Sequence, residues 1–146
     1  MTIAVEKVLY TAHATANGGR DGKVATDDGK LDVVVAPPAE MGGTGNGTNP
    51  EQLFAAGYAA CFHSALKVVA RKARLDVDGS TVTAEVGIGP INGGAGYGLE
   101  VALVVSLPGL DTPAAEDLVA KAHQVCPYSN ATRGNIVVDL KVTGSK

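Results

Sequence analysis

The sequence predicts an α+β domain, with a largely antiparallel sheet packed around one long, buried central helix. Three observations predict it. Short alternating segments come in hairpin-linked groups on either side of residues 49–74. The run Thr48-Asn49-Pro50-Glu51-Gln52-Leu53-Phe54-Ala55-Ala56-Gly57-Tyr58-Ala59-Ala60-Cys61-Phe62 opens like a helix and carries no charge from Leu53 onward. A helix apolar on every side is a buried one. A second cap-then-proline signal, Thr112-Pro113, starts another helix downstream. No internal repeat, low-complexity tract or linker interrupts the chain, so residues 1–146 are expected to form one domain.

Taken in order, Val8 to Ala16 alternates as a strand, with Val8, Tyr10, Ala12 and Ala14 on one face. Asn17-Gly18-Gly19-Arg20-Asp21-Gly22 is a turn-rich loop. Lys23 to Thr26 and Leu31 to Ala36 form a hairpin around Asp27-Asp28-Gly29-Lys30. The Gly-rich stretch Met41 to Thr48 reads as a flexible connection. The central helix then runs from Asn49, a good N-cap followed by Pro50 at the first helical position, to about Arg74. Gln52 completes a capping-box-like pattern. Lys67, Arg71, Lys72 and Arg74 suit its C-terminal half. Thr81 to Ile88 alternates strictly, and Tyr97 to Leu107 places Leu99, Val101, Leu103 and Val105 inward. The second helix runs through about Val125, Cys126-Pro127 ends it or begins a turn, and Ile136 to Val142 is the last strand.

Composition narrows the function classes. A formal net charge of -3 advertises no basic face, which argues against a nucleic-acid partner. Residues Met1 to Lys7 show no signal-peptide core, so the expected compartment is the reducing cytoplasm. The charge-free part of the helix is shorter than the roughly 20 residues a bilayer span needs, so membrane insertion is not expected. Two cysteines in a reducing compartment point to catalysis, metal binding or burial rather than a structural staple.

The Gly-rich loop Gly42 to Thr48 lacks the Lys-Ser/Thr ending of a phosphate loop, and its glycines miss the dinucleotide spacing. Among the histidines, His13 falls on the polar face of a strand, and His63 is too close to Cys61 in sequence to share its helix face. His123 and Cys126 have the spacing of half a zinc site, but no second half is present. A redox-sensing or metal-binding module built on that pair is the alternative function. A structural domain with inert cysteines is a third reading.

Cys61 is the reactive side chain in the apolar run. Burial there raises a thiol's pKa, and the helix N-terminus, twelve residues back at Asn49, is too far to lower it. A thiolate would need a cation from elsewhere. Arg20 in its glycine loop is one candidate, because a guanidinium keeps its charge when desolvated. Glu51, the sole acid in the helix's apolar half, could clamp it in a bidentate pair.

These residues resemble a family. The run Thr48 to Phe62 is similar to the hallmark helix of the OsmC/Ohr family. Val125-Cys126-Pro127-Tyr128-Ser129-Asn130-Ala131-Thr132-Arg133-Gly134-Asn135-Ile136 resembles its second-cysteine motif, and Gly18-Gly19-Arg20-Asp21-Gly22 its arginine loop. The short N-terminal hairpin and the second motif favour the organic hydroperoxide resistance subgroup. The resemblance implies the OsmC-like fold, an intertwined homodimer with sites at the interface, and a thiol peroxidase for organic hydroperoxides. It makes Cys61 the peroxidatic cysteine, Cys126 the resolving one with which it forms a disulfide, and Arg20 and Glu51 the activating pair. It implies no bound cofactor, and reduction by a dithiol, a lipoyl group on a carrier protein. Phe62 and Tyr128 are candidates for the apolar substrate wall, with core packing as the alternative for both.

One expectation comes from helix geometry. Glu51 and Cys61 lie ten residues apart, about 15 Å along a helix axis. An arginine clamped by Glu51 is therefore expected to serve the cysteine of a partner subunit.

Overall fold

The structure, a computed structural model, describes residues 2–144. The chain divides into two compact units, Met1–Pro50 and Glu51–Lys146.

The first unit is a three-stranded antiparallel sheet, β1 (Ala14–Asn17), β2 (Gly22–Thr26) and β3 (Asp32–Val35), in that spatial order. The β2–β3 turn is held by Asp28, whose carboxylate accepts from Thr26 Oγ1 at 2.7 Å and from the Lys30 amide at 3.0 Å. These two bonds hold the Asp28 carboxyl below its ordinary value, the Lys30 amide contributing most. The first strand is much shorter than its alternation suggested. Ladder pairing with β2 starts at Ala14, extended only by the Asp27 amide bonding the His13 carbonyl at 3.2 Å. Val8, Leu9 and Tyr10 lie outside any strand and are 66%, 89% and 78% exposed. Alternation marks which side chains share a face; it does not supply the neighbouring strand that a ladder needs.

The Gly-rich connection is also more ordered than expected. The amides of Gly43 and Gly45 bond the carbonyls of Pro38 and Pro37, each at 3.0 Å. Thr48 bridges to Val35 in parallel register, with its amide on the Val34 carbonyl and its carbonyl on the Ala36 amide, both at 2.9 Å. Glycine is required at 47, where a Cβ would sit 2.7 Å from the Val34 carbonyl oxygen.

The second unit holds the core. Helix α1 (Pro50–Ala73) is followed by β4 (Thr81–Ile91), β5 (Gly96–Leu107), α2 (Thr112–Val125), α3 (Pro127–Thr132) and β6 (Val138–Gly144). The sheet order is β4-β5-β6, with β4 antiparallel and β6 parallel to β5. The parallel pairing follows from the helical crossover between β5 and β6. The α+β class expected from the sequence is observed, as two three-stranded sheets rather than one.

The period-2 pattern of β5 buries Val101, Leu103, Val105 and Leu107. They pack with Tyr58, Phe62, Leu66 and Ala70 of α1 and with Ala115, Leu118, Val119 and Ala122 of α2. Burying each large aliphatic side chain contributes about 1.5–3 kcal/mol. The cap of α2 is Asp111 rather than Thr112: its carboxylate accepts from the Ala114 amide at 2.8 Å. Past Cys126 the chain forms the one-and-a-half-turn helix α3, where the sequence suggested only a stop or a turn.

At 24 residues, α1 is long and apolar enough to cross a membrane by length and composition. Its Tyr58, Phe62, Ala65, Leu66 and Ala70 are instead packed in the core. It is not buried on all sides, as its charge-free run suggested: Ala56, Ala60, Ser64 and Val68 are exposed.

Candidate active site

Two sulfurs 65 residues apart in sequence meet where α1 passes the joint between α2 and α3. Cys126 Sγ lies 3.7 Å from Cys61 Sγ, and both are free thiols. Cys61 is half-buried on α1, whereas Cys126 is completely buried. Cys126 is at once the C-cap of α2 and the N-cap of α3, with extended backbone angles (φ -66°, ψ 123°). Pro127 at the first position of α3 favours that geometry, because a residue before proline is pushed out of the helical region. Backbone bonds pin the joint on both sides: the Cys126 amide donates to the Ala122 carbonyl, and the Asn130 amide to the Cys126 carbonyl, each at 2.9 Å.

Burial pushes the Cys61 thiol up from its ordinary value. The amide of Tyr128 opposes this by bonding the sulfur, and the neighbouring Cys126 adds to the rise. The pair is spaced for disulfide formation, which needs a sulfur separation of about 2.0 Å.

Tyr128 does two things. Its amide faces Cys61, and its ring lines an open groove of about 860 Å³ with Phe54, Tyr97, Leu99, Ile136 and Val137. The ring stacks in a cluster with Phe54 (centroids 5.9 Å apart) and Tyr58 (5.6 Å). Gly57 makes room for it, since a Cβ there would lie 2.6 Å from the Tyr128 hydroxyl. Phe62, the other candidate for the substrate wall, is wholly buried in the core cluster.

Arg20 lies in the exposed β1–β2 turn, where Gly18 (φ +89°) and Gly19 (φ +62°) adopt left-handed backbone and the Asp21 amide bonds the Gly18 carbonyl at 3.1 Å. Glu51 stands half-buried in the first turn of α1. His123 and Cys126 do not converge as a half zinc site. His123 Nδ1 bonds Ser129 Oγ at 2.8 Å, and the Cys126 thiol points at Cys61. Among the described residues, no group of three His, Cys, Asp or Glu is placed to hold a metal ion.

Sequence reasoning missed the buried polar residues that link α1 to α3. Tyr58 Oη lies 2.8 Å from Ser129 Oγ and 3.1 Å from Thr132 Oγ1, and all three residues are buried. Nothing in the local sequence pairs residues 71 and 74 positions apart.

The chain is similar to proteins of one family. Residues 43–141 match the family model described as OsmC-like protein. An organic hydroperoxide resistance protein of Xanthomonas axonopodis pv. citri is 57% identical over 137 residues, covering 92% of this chain and 95% of its own. Organic hydroperoxide resistance protein OhrB of Bacillus subtilis is 47% identical, covering 92% of this chain and 98% of its own. A crystal structure of an organic hydroperoxide resistance protein from Elizabethkingia anophelis superposes with a TM-score of 0.89 at 55% identity, covering 94% of this chain and 99% of that one. The fold and the sequence together define an OsmC-like protein. The chain belongs to that family, on its organic hydroperoxide resistance branch.

Proposed function

We propose that the protein is a cysteine-based peroxidase that reduces organic hydroperoxides to alcohols. The observation that carries this reading is the 3.7 Å separation of a half-buried and a fully buried free thiol beside an apolar groove. Cys61 thiolate attacks the outer peroxide oxygen. The O–O bond breaks, the departing alkoxide takes up a proton and leaves as alcohol, and Cys61 is left as a sulfenic acid. Cys126 then attacks that sulfur, the S–O bond breaks, and water leaves as the Cys61–Cys126 disulfide forms. A dithiol such as a dihydrolipoyl group on a carrier protein reopens it by two exchanges, becoming a disulfide itself.

Because burial works against the Cys61 thiolate, a cation has to restore it. Arg20, oriented by Glu51, is the group we assign to that task and to the charge developing on the alkoxide. The spacing of Glu51 and Cys61 along α1 favours sharing of these residues across a homodimer. The exposed apolar Val8, Leu9 and Tyr10 and the small-residue face of α1 are suited to a second copy of the chain. The groove beside Tyr128 suits an alkyl or lipid tail. We place the enzyme in the reducing cytoplasm, where its dithiol reductant is maintained.

The test is a mass measurement after one equivalent of cumene hydroperoxide. Loss of two hydrogens with both thiols blocked to alkylation is expected. Cys61→Ser should abolish reduction, and Cys126→Ser should release about one equivalent of alcohol and then stop. Steady-state peroxide reduction by Cys61→Ser would overturn the reading.

A further inference from the structure

Three elements meet at one buried hydroxyl. Ser129 Oγ on α3 lies 2.8 Å from Tyr58 Oη on α1 and 2.8 Å from His123 Nδ1 on α2. Each member stands three residues from a cysteine: Tyr58 before Cys61, His123 before Cys126, and Ser129 after Cys126. Tyr58 and Cys61 share a face of α1, while His123 and Ser129 flank the Cys126 joint from α2 and α3.

Proton counting orders the chain of bonds. Thr132 donates its single hydroxyl hydrogen to the carbonyl of Tyr128 at 3.0 Å or of Ser129 at 3.3 Å, so toward Tyr58 it accepts. Tyr58 therefore donates to Thr132, Ser129 donates to Tyr58, and the N–H at Nδ1 of His123 donates to Ser129. Every hydroxyl is used once as a donor. Arg133 adds a further tie, donating to the His123 carbonyl at 2.8 Å and to the Asn130 side chain.

We propose that Tyr58, Ser129 and His123 form a positioning network that holds the Cys126 joint against α1 and thereby sets the rate at which Cys126 closes onto an oxidised Cys61. The inference rests on the peroxidase reading above. Closure must shorten the present 3.7 Å to about 2.0 Å. With the joint fixed, side-chain rotation and a small local shift accomplish this, and the effective concentration of one sulfur at the other is high. Without the network, α3 is tied to α2 by backbone and by the Arg133–His123 carbonyl bond, and its hold on α1 is loosened. None of these three residues lines the groove, so the first step is not theirs to control.

The experiment separates the two steps in single turnover. Alcohol release reports the attack of Cys61, and dimedone trapping of the sulfenic acid against time reports closure. Ser129→Ala and Tyr58→Phe should leave alcohol release within about twofold and slow closure at least tenfold, with sulfinic acid accumulating at excess peroxide. His123→Ala should behave in the same way. His123→Asn, whose amide N–H can stand in for Nδ1, should recover most of the closure rate. Closure at the unaltered rate in both Ser129→Ala and Tyr58→Phe would overturn the network's role alone. An equal loss in His123→Asn and His123→Ala would also overturn it, because bulk rather than the bond would then matter. If the unaltered chain keeps both thiols free after peroxide, the peroxidase reading fails and this inference with it.

Discussion

Gly57 shows how one missing atom shapes the site. A methyl group there would sit 2.6 Å from the Tyr128 hydroxyl and 3.1 Å from the ring carbon that bears it. Tyr128 is 37% exposed, so its ring can swing toward solvent. Replacing a mid-helix glycine by alanine gains about 1 kcal/mol of helix propensity, which offsets the lost stacking on Phe54 and Tyr58. Gly57→Ala is therefore expected to change stability by less than about 1 kcal/mol in urea unfolding, while raising KM for bulky alkyl peroxides several-fold. The cation assigned to Cys61 is tested at this same scale. Removing Arg20 should move the pH profile of Cys61 alkylation upward, because the proposed cation that offsets burial and Cys126 would be gone. Each unit of rise lowers the thiolate fraction at neutral pH about tenfold. An unshifted alkylation profile in Arg20→Ala would remove Arg20 from the mechanism.

Elements were legible where a local rule fixed them. Pro50 and the Thr112-Pro113 start announced α1 and α2, although Asp111 rather than Thr112 is the cap, and alternation announced most of the buried face of β5. The short α3 was not legible, because Cys126-Pro127 reads equally well as a stop and as a helix start. The links among Tyr58, Ser129 and Thr132 were also invisible, since they bridge elements with no shared sequence period. Their removal has a cost of its own: Tyr58→Phe leaves two buried hydroxyls short of a partner and should lower stability by about 1–3 kcal/mol in urea unfolding. The same element carries a pH dependence. Burial first, and the Arg133 charge second, depress the His123 pKa below its ordinary 6.5. The unfolded chain thus takes up a proton there before the folded one does. Stability from this group is complete above pH 6.5 and is lost as pH falls through the depressed folded value. Urea midpoints measured across that interval should decline on acidification, and His123→Asn should flatten this part of the decline.

At the scale of the molecule, the sequence identified the class and the family motifs but not the partition into two compact units. The cysteine pair was legible as two separate motifs, and only folding shows their sulfurs 3.7 Å apart. Alternation alone extends the first strand too far toward the N-terminus: Val8, Leu9 and Tyr10 find no ladder partner among the described residues, and pairing begins at Ala14. Assembly with a second copy would supply cover for them. Deleting residues 2–11 is expected to convert the proposed dimer to monomer in sedimentation equilibrium, with peroxidase activity falling at least tenfold if sites are shared. Mixing inactive Arg20→Ala and Cys61→Ser chains after dissociation should restore activity in the heterodimer; no recovery would confine each site to one chain.

The unequal accessibility of the two sulfurs has a directional consequence. With position 126 sealed from solvent and position 61 partly open, a reductant of the proposed disulfide would strike it at one end. In the proposed cycle the mixed disulfide would then hang on residue 61, with the inner sulfur as the leaving group, so repair would run in a single order.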